Sequence, residues 1–229
     1  MSERDIGGLP PIDGRKQEII KVFQEMQIEV EEDGETKIIN FSPQEIEEIV
    51  SFETILGYKP ETIREIVPER FKQNLENLDI KAEDWKKTAL KQPQLFYQSP
   101  ETINKNIEEA ARRLDLDKET YTKAALKHPL LFTQSPETIN KNIEEAAELL
   151  SLDKEAYTQV ALKQPSLFAQ SPETINKNIE EAARRLSLDK KAYTQVALKQ
   201  PPLFSLSPEI IKQNFNALCD FLFNKDKEN

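Results

Sequence analysis

The chain has 229 residues, 38% hydrophobic and 31% charged, with a formal net charge of −10. That length is enough to bury a core, and no apolar run approaches the ~20 residues of a membrane-spanning helix. One Cys and one His exclude a disulfide framework, a Cys-based zinc site and a His cluster, and the lack of Gly after Gly57 excludes Gly-rich phosphate loops beyond it.

The first residues hold no apolar stretch and no Arg-rich amphipathic pattern, so neither a signal nor a transit peptide is expected. With its lone Cys, the chain reads as soluble, intracellular and cytoplasmic. Residues 15–27 predict a helix. Asp33-Gly34 between IEVEE and ETKIINF predicts a small hairpin, with any strand confined to residues 27–41. Ser42 and Glu45 form a capping-box pattern for a helix through Ile55, stopped by Gly57. Pro60 starts a further short helix. Pro68 then opens PERFKQNLENL, a degenerate first repeat 32 residues before Pro100.

The string SPETINKNIEEAA follows at Ser99, Ser135 and Ser171, a period of 36 residues. The first and second copies agree at 27 of 36 positions, the second and third at 30 of 36. In each, Ser is an N-cap and Pro takes the first helical position, where its missing N–H costs nothing. Ile103, Ile107, Ala110, Ala111 and Leu114 then share one face. Asp117 caps a second helix with Tyr121, Ala125 and Leu126 inside, and Pro129 ends it. Leu131 and Phe132 follow in a short 3₁₀ turn. A divergent start recurs at Ser207, and the helix carrying Phe215, Leu218, Leu222 and Phe223 is expected to cover the C-terminal end, with NKDKEN frayed.

The expected fold is therefore all-α: an α-solenoid of ~36-residue helix–helix–3₁₀ repeats with capping units at both ends. The boundaries read as an acidic N-terminal cap at 1–57, a degenerate first repeat at 58–98, three full repeats at 99–206 and a C-terminal capping helix and tail at 207–229.

The breaker motif recurs as Pro93/Leu95/Phe96, Pro129/Leu131/Phe132, Pro165/Leu167/Phe168 and Pro201/Leu203/Phe204. With the Ser-Pro-Glu helix start and the two-helix unit, it resembles the repeat of the mitochondrial transcription termination factor family over roughly residues 57–218. The resemblance implies a curved helical solenoid that binds double-stranded DNA or RNA in its groove. Where that family usually has Gly after the Leu that ends the first helix, this chain has Asp115, Ser151 and Ser187.

Several repeated features are candidates for contact with a partner. Lys91, Lys127, Lys163 and Lys199 precede each breaker Pro, either as phosphate contacts or as cations at a helix C-terminus. Lys105, Lys141 and Lys177 lie between Asn residues, which serve either partner contact or hydrogen bonding between repeats. Arg112/Arg113 and Arg184/Arg185 are the strongest basic spots, each four residues after a Glu-Glu pair; in the middle repeat Glu148 and Leu149 replace them and break the track. The macromolecule-binding candidates are thus Lys105, Arg112, Arg113, Lys141, Lys177, Arg184 and Arg185. Differences between copies fall at 112/148/184, 113/149/185, 119/155/191, 123/159/195 and 130/166/202, as read-out positions or as drift on exposed faces. Trp85, Tyr121, Tyr157 and Tyr193 form a column suited to packing between repeats or to stacking on bases. His128, in the place of a Gln, reads as an exposed substitution, and Cys219 as core. No residues form a catalytic, cofactor-binding or metal-binding constellation.

A non-enzymatic repeat scaffold follows, reading as a monomer that needs no cofactor and meets no membrane. The acidic net charge favours a protein as the partner. Nucleic-acid binding, connected with transcription, is the alternative that the family resemblance brings.

Overall fold

The computed structural model of the chain describes residues 12–224, with side chains for residues 14–219. The chain is 75% helical, and its helices follow in tandem with 3₁₀ turns between them. It is an all-α repeat array of the solenoid class, as the 36-residue period predicts. It divides into two compact units, residues 1–109 with 118–133, and residues 110–117 with 134–229.

The first unit opens with α1 (Ile12–Glu25) and an antiparallel hairpin, β1 (Ile28–Glu32) and β2 (Glu35–Ile39), in which Ile28 faces Ile39. Asp33 and Gly34 both take positive φ, +56° and +79°, which is what a two-residue hairpin turn demands. The capping box at Ser42 and Glu45 starts α2 (Pro43–Ser51). The helix ends there and not at Ile55, because Phe52 is extended and residues Glu53–Gly57 wind into a 3₁₀ turn. Phe23, Phe41 and Phe96 meet edge-on, with ring centroids 5.4, 5.5 and 6.1 Å apart. This cluster seats the N-terminal elements on the 3₁₀ turn Pro93–Phe96.

One expectation changes in α3. It is a single 19-residue helix, Pro60–Leu78, with Pro68 in its interior. Ile63, Val67 and Phe71 are buried at successive i,i+4 positions, so the apolar stripe runs straight through Pro68 and carries the helix past it. The first repeat is therefore longer than the others at its N-terminus, not shorter. Its C-terminus keeps the register: Asp79 adopts the left-handed conformation, 36 residues before Asp115. After α3 come α4 (Ala82–Lys91), α5 (Pro100–Arg113, shared between the units) and α6 (Lys118–Lys127), with 3₁₀ turns at Pro93–Phe96 and Pro129–Phe132.

The second unit holds α7 (Pro136–Leu149), α8 (Lys154–Lys163), α9 (Pro172–Arg185), α10 (Lys190–Lys199) and α11 (Pro208–Asn224). Ser135 and Ser171 cap α7 and α9 by accepting from the N–H groups of Thr138 and Thr174. Ile139, Ile143, Ala146 and Ala147 of α7 are buried, as are Ile175, Ile179, Ala182 and Ala183 of α9.

Each first helix ends in a Schellman turn without glycine. Asp115, Ser151 and Ser187 have φ of +55°, +54° and +57°. Leu116, Leu152 and Leu188 N–H groups return to Ala111, Ala147 and Ala183 carbonyls at 2.9 Å. These are the positions where Gly is the less strained residue, since a Cβ crowds the backbone in the left-handed region. Ser151→Gly is therefore expected to stabilise the protein by up to about 1 kcal/mol, less the extra freedom Gly gives the unfolded chain. A higher urea midpoint at unchanged slope is the expected reading; a lower midpoint contradicts it.

The C-terminal helix departs from expectation. Phe215 and Leu218 are 45% and 54% exposed, and Cys219 is half-buried, not core. They correspond to the buried Ile179 and Ala182 of α9, which is covered by α10 and α11. Among the described residues no element follows α11 to cover it in the same way. The side chains of Leu222 and Phe223 and the expected fraying beyond Asn224 lie outside the described residues.

Candidate nucleic-acid interface

The cations divide into three groups according to what already holds them. The first group is structural. Lys118, Lys154 and Lys190, at the start of each second helix, donate to the carbonyls of Asn77, Arg113 and Leu149 at 2.8–2.9 Å. Each also donates to Asn104, Asn140 or Asn176 at 2.5–2.7 Å and to Glu108, Glu144 or Glu180 at 3.0–3.1 Å. One ammonium thus ties a second helix, its own first helix and the C-terminus of the preceding first helix, where a cation also meets the negative end of the helix dipole. The lysine hydrogen bonds hold these glutamates below the usual carboxylate range. Asn106 and Asn142 donate to the carbonyls of Phe132 and Phe168 in the following 3₁₀ turns. The paired Asn residues of the first two repeats, and Asn176 of the third, therefore serve hydrogen bonding within the array.

The second group comprises the sequence-derived candidates on the first helices. Lys105, Lys141 and Lys177 are exposed, and Lys141 lies 3.6 Å from Glu145. Arg113, at the end of α5, pairs with Glu137 at the start of α7 at 2.8 Å. Arg185 reaches Glu181 and Glu209, the latter at the start of α11. Arg184 pairs with Glu181 at 2.6 Å. Hydrogen bonds from Arg184 and Arg185 hold the Glu181 carboxyl down at about 2. Arg112 is exposed and engaged. The arginines therefore bridge one first helix to the next or to their own turn, and in the middle repeat the exposed Leu149 stands in their place. At the exposed positions 101, 105, 108 and 112 and their equivalents in the next two repeats, seven glutamates face five cations, a net of −2.

The third group lies on the second helices, and only its C-terminal lysines stand out in the sequence. The exposed outer positions read Glu83-Lys87-Lys91 in α4, Glu119-Lys123-Lys127 in α6, Glu155-Gln159-Lys163 in α8 and Lys191-Gln195-Lys199 in α10. Seven lysines stand there against three glutamates, and with the exposed Asp84 of α4 the net is +3. Lys123 pairs with Glu119 at 2.5 Å, a widely exposed i,i+4 pair of little strength. For Lys87, Lys91, Lys127, Lys163 and Lys199 no carboxylate partner is found among the described residues. In the first unit, α4 and α6 enclose an open groove of about 410 Å³ lined by Asp84, Lys87, Thr88, Lys91, Lys123, Leu126 and Lys127. Two of the positions that vary between copies, 119/155/191 and 123/159/195, fall in this outer row.

The aromatic column does not reach solvent. Trp85, Tyr121, Tyr157 and Tyr193 are buried, with Trp85 edge-on to Phe132 at 5.4 Å and Tyr157 to Phe204 at 5.9 Å. Packing claims these rings, so they offer no platform for bases. Burial pushes the phenols of Tyr157 and Tyr193 up, that of Tyr193 to about 12. The Tyr157 hydroxyl has no hydrogen-bond partner among the described residues, and an unpaired buried hydroxyl costs about 1–3 kcal/mol. Tyr157→Phe is expected to leave stability unchanged or raise it by about 1 kcal/mol. A fall in melting temperature would mean that the hydroxyl is paired. His128 is half-buried, not exposed, and loss of solvent lowers its pKa.

The mTERF family model matches residues 36–227, most of the chain. The chain belongs to the mTERF family. None of the curated proteins compared with the chain matches it. Proteins of the mTERF family are in general non-enzymatic binding proteins. Among the described residues no group of His, Cys, Asp and Glu is placed to hold a metal ion, and no helix is long and apolar enough to cross a membrane.

Proposed function

We propose that this mTERF-family protein is a non-enzymatic scaffold that binds nucleic acid, double-stranded DNA or RNA, through the backbone phosphates. Family membership over residues 36–227 carries the reading. It favours the alternative drawn from the sequence over the protein partner that net charge suggests. The net charge of −10 is a sum over the whole chain, whereas a polyanion meets local charge. The exposed charged side chains of the second helices are seven lysines against four carboxylates, Asp84 included, a net of +3, which favours phosphate contact at short range. The competing location for the same role is the first-helix set read from the sequence: Arg112, Arg113, Arg184 and Arg185, with Lys105, Lys141 and Lys177.

Binding of a fluorescein-labelled duplex of about 20 base pairs, followed by anisotropy, tests the reading. Association at 50 mM salt that weakens at 200 mM supports it. No association with DNA or RNA duplex at 50 mM salt rejects it.

A further inference from the structure

We infer that the phosphate-binding surface is the lysine groove between α4 and α6, not the first-helix arginines, and that it holds a duplex without reading its sequence. This rests on the nucleic-acid reading above and adds to it a location and a mode.

The location follows from competition for the cations. Arg113, Arg184 and Arg185 are held by Glu137, Glu181 and Glu209 at 2.5–2.8 Å. A phosphate arriving there must displace a carboxylate, and the released Glu would then repel it. Lys87, Lys91 and Lys127 need release no carboxylate. Lys123 is paired with Glu119 at a widely exposed i,i+4 position, a weak kind of ion pair. Four lysines thus line one groove, against one acidic residue, Asp84, among its described lining residues.

The mode follows from the residue types. The groove lining contains no Arg, Asn or Gln, the side chains whose forked donors read base edges. Lys is a compact point charge that suits a phosphate oxygen. Single strands are held by stacking bases on exposed rings, and the rings of this layer, Trp85 and Tyr121, are buried. The remaining mode is electrostatic contact with a backbone, and the backbone with the higher charge density is a duplex.

Two variants of the full chain separate the surfaces. One carries Lys87→Gln, Lys91→Gln, Lys123→Gln and Lys127→Gln; the other carries Arg112→Gln, Arg113→Gln, Arg184→Gln and Arg185→Gln. The substituted lysines are exposed, and Gln is nearly as good a helix former, so circular dichroism and melting should match the parent. If the quadruple lysine variant melts early, Lys87→Gln/Lys91→Gln alone serves. The probes are two DNA duplexes of unrelated sequence, one RNA duplex and one DNA single strand. The lysine variant is expected to lose roughly 10²–10³-fold in duplex affinity, with the salt slope flattened by about 3–4. The arginine variant should lose under about tenfold. The two DNA duplexes should bind within about threefold of each other and more tightly than the single strand, and the RNA arm shows whether the duplex is of DNA, RNA or either. Retained binding in the lysine variant, or equal losses in both variants, overturns the location. Strong preference for one duplex sequence or for the single strand overturns the mode. In each case the nucleic-acid reading itself survives; it fails only if the parent chain binds none of the probes at 50 mM salt.

Discussion

Ile143→Ala is expected to destabilise the protein by about 2–5 kcal/mol, the range for truncating a fully enclosed aliphatic side chain. Ile143 is 0% exposed. It sits in α7, which packs against α8, α9 and the 3₁₀ turn Pro165–Phe168, so the lost methyl groups leave a void that several elements would have to collapse to fill. Because repeat arrays are held together by contacts between neighbours, the damage in this repeat also weakens its coupling to α9 of the next. Urea melting followed at 222 nm should show a clearly lower midpoint than the parent. Lys141→Ala, two residues away and exposed, should move it by no more than about 0.5 kcal/mol. Equal midpoints for the parent and Ile143→Ala would place Ile143 on the wrong face of the helix.

Much of this architecture is legible in the sequence because its signals are local. Ser-Pro starts, the Ser42–Glu45 capping box and the Asp33-Gly34 turn act over a few residues, and the period of 36 repeats them until chance is excluded. The errors arise where tertiary packing outweighs a local signal. Pro68 reads as a helix start, yet the stripe Ile63–Val67–Phe71 holds the helix through it. Phe215 and Leu218 read as a closing face because they are apolar, but the matching residues of α9 are buried only because α10 and α11 pack over that helix. Lys118, Lys154 and Lys190 escape notice in a sequence because a Lys at the start of a helix runs against the dipole and suggests nothing by itself. Their role exists only through a carbonyl 41 residues upstream in the chain.

The candidate interface shows the same division. Arginine pairs attract attention in a sequence, and their i,i+4 glutamates are visible there. Their bridges to Glu137 and Glu209, 24 residues on, are not. The lysines of the second helices look like ordinary C-terminal cations one repeat at a time. Charge counted by helix and by exposed face, not by chain segment, brings them out: 87, 91, 123 and 127 are spaced four apart within each helix and 36 apart between helices.

The largest functional effect expected is the loss of duplex affinity with salt. Each phosphate neutralised by a lysine releases a condensed counterion, so the logarithm of the binding constant falls linearly with the logarithm of salt, by about 0.9 per contact. The groove supplies four lysines. With these four contacts the slope is about −3.6, and affinity drops roughly 150-fold between 50 and 200 mM salt. A scaffold for a protein partner, with a chain charge of −10, would show no such association.

That slope is the measurement that bears most directly on phosphate recognition. Anisotropy titrations of the full chain with a labelled duplex, at several salt concentrations from 50 to 300 mM, should give a straight log–log line with a slope near −3 to −4. A line with a slope shallower than about −1, or no binding at the lowest salt, would contradict phosphate recognition by this protein.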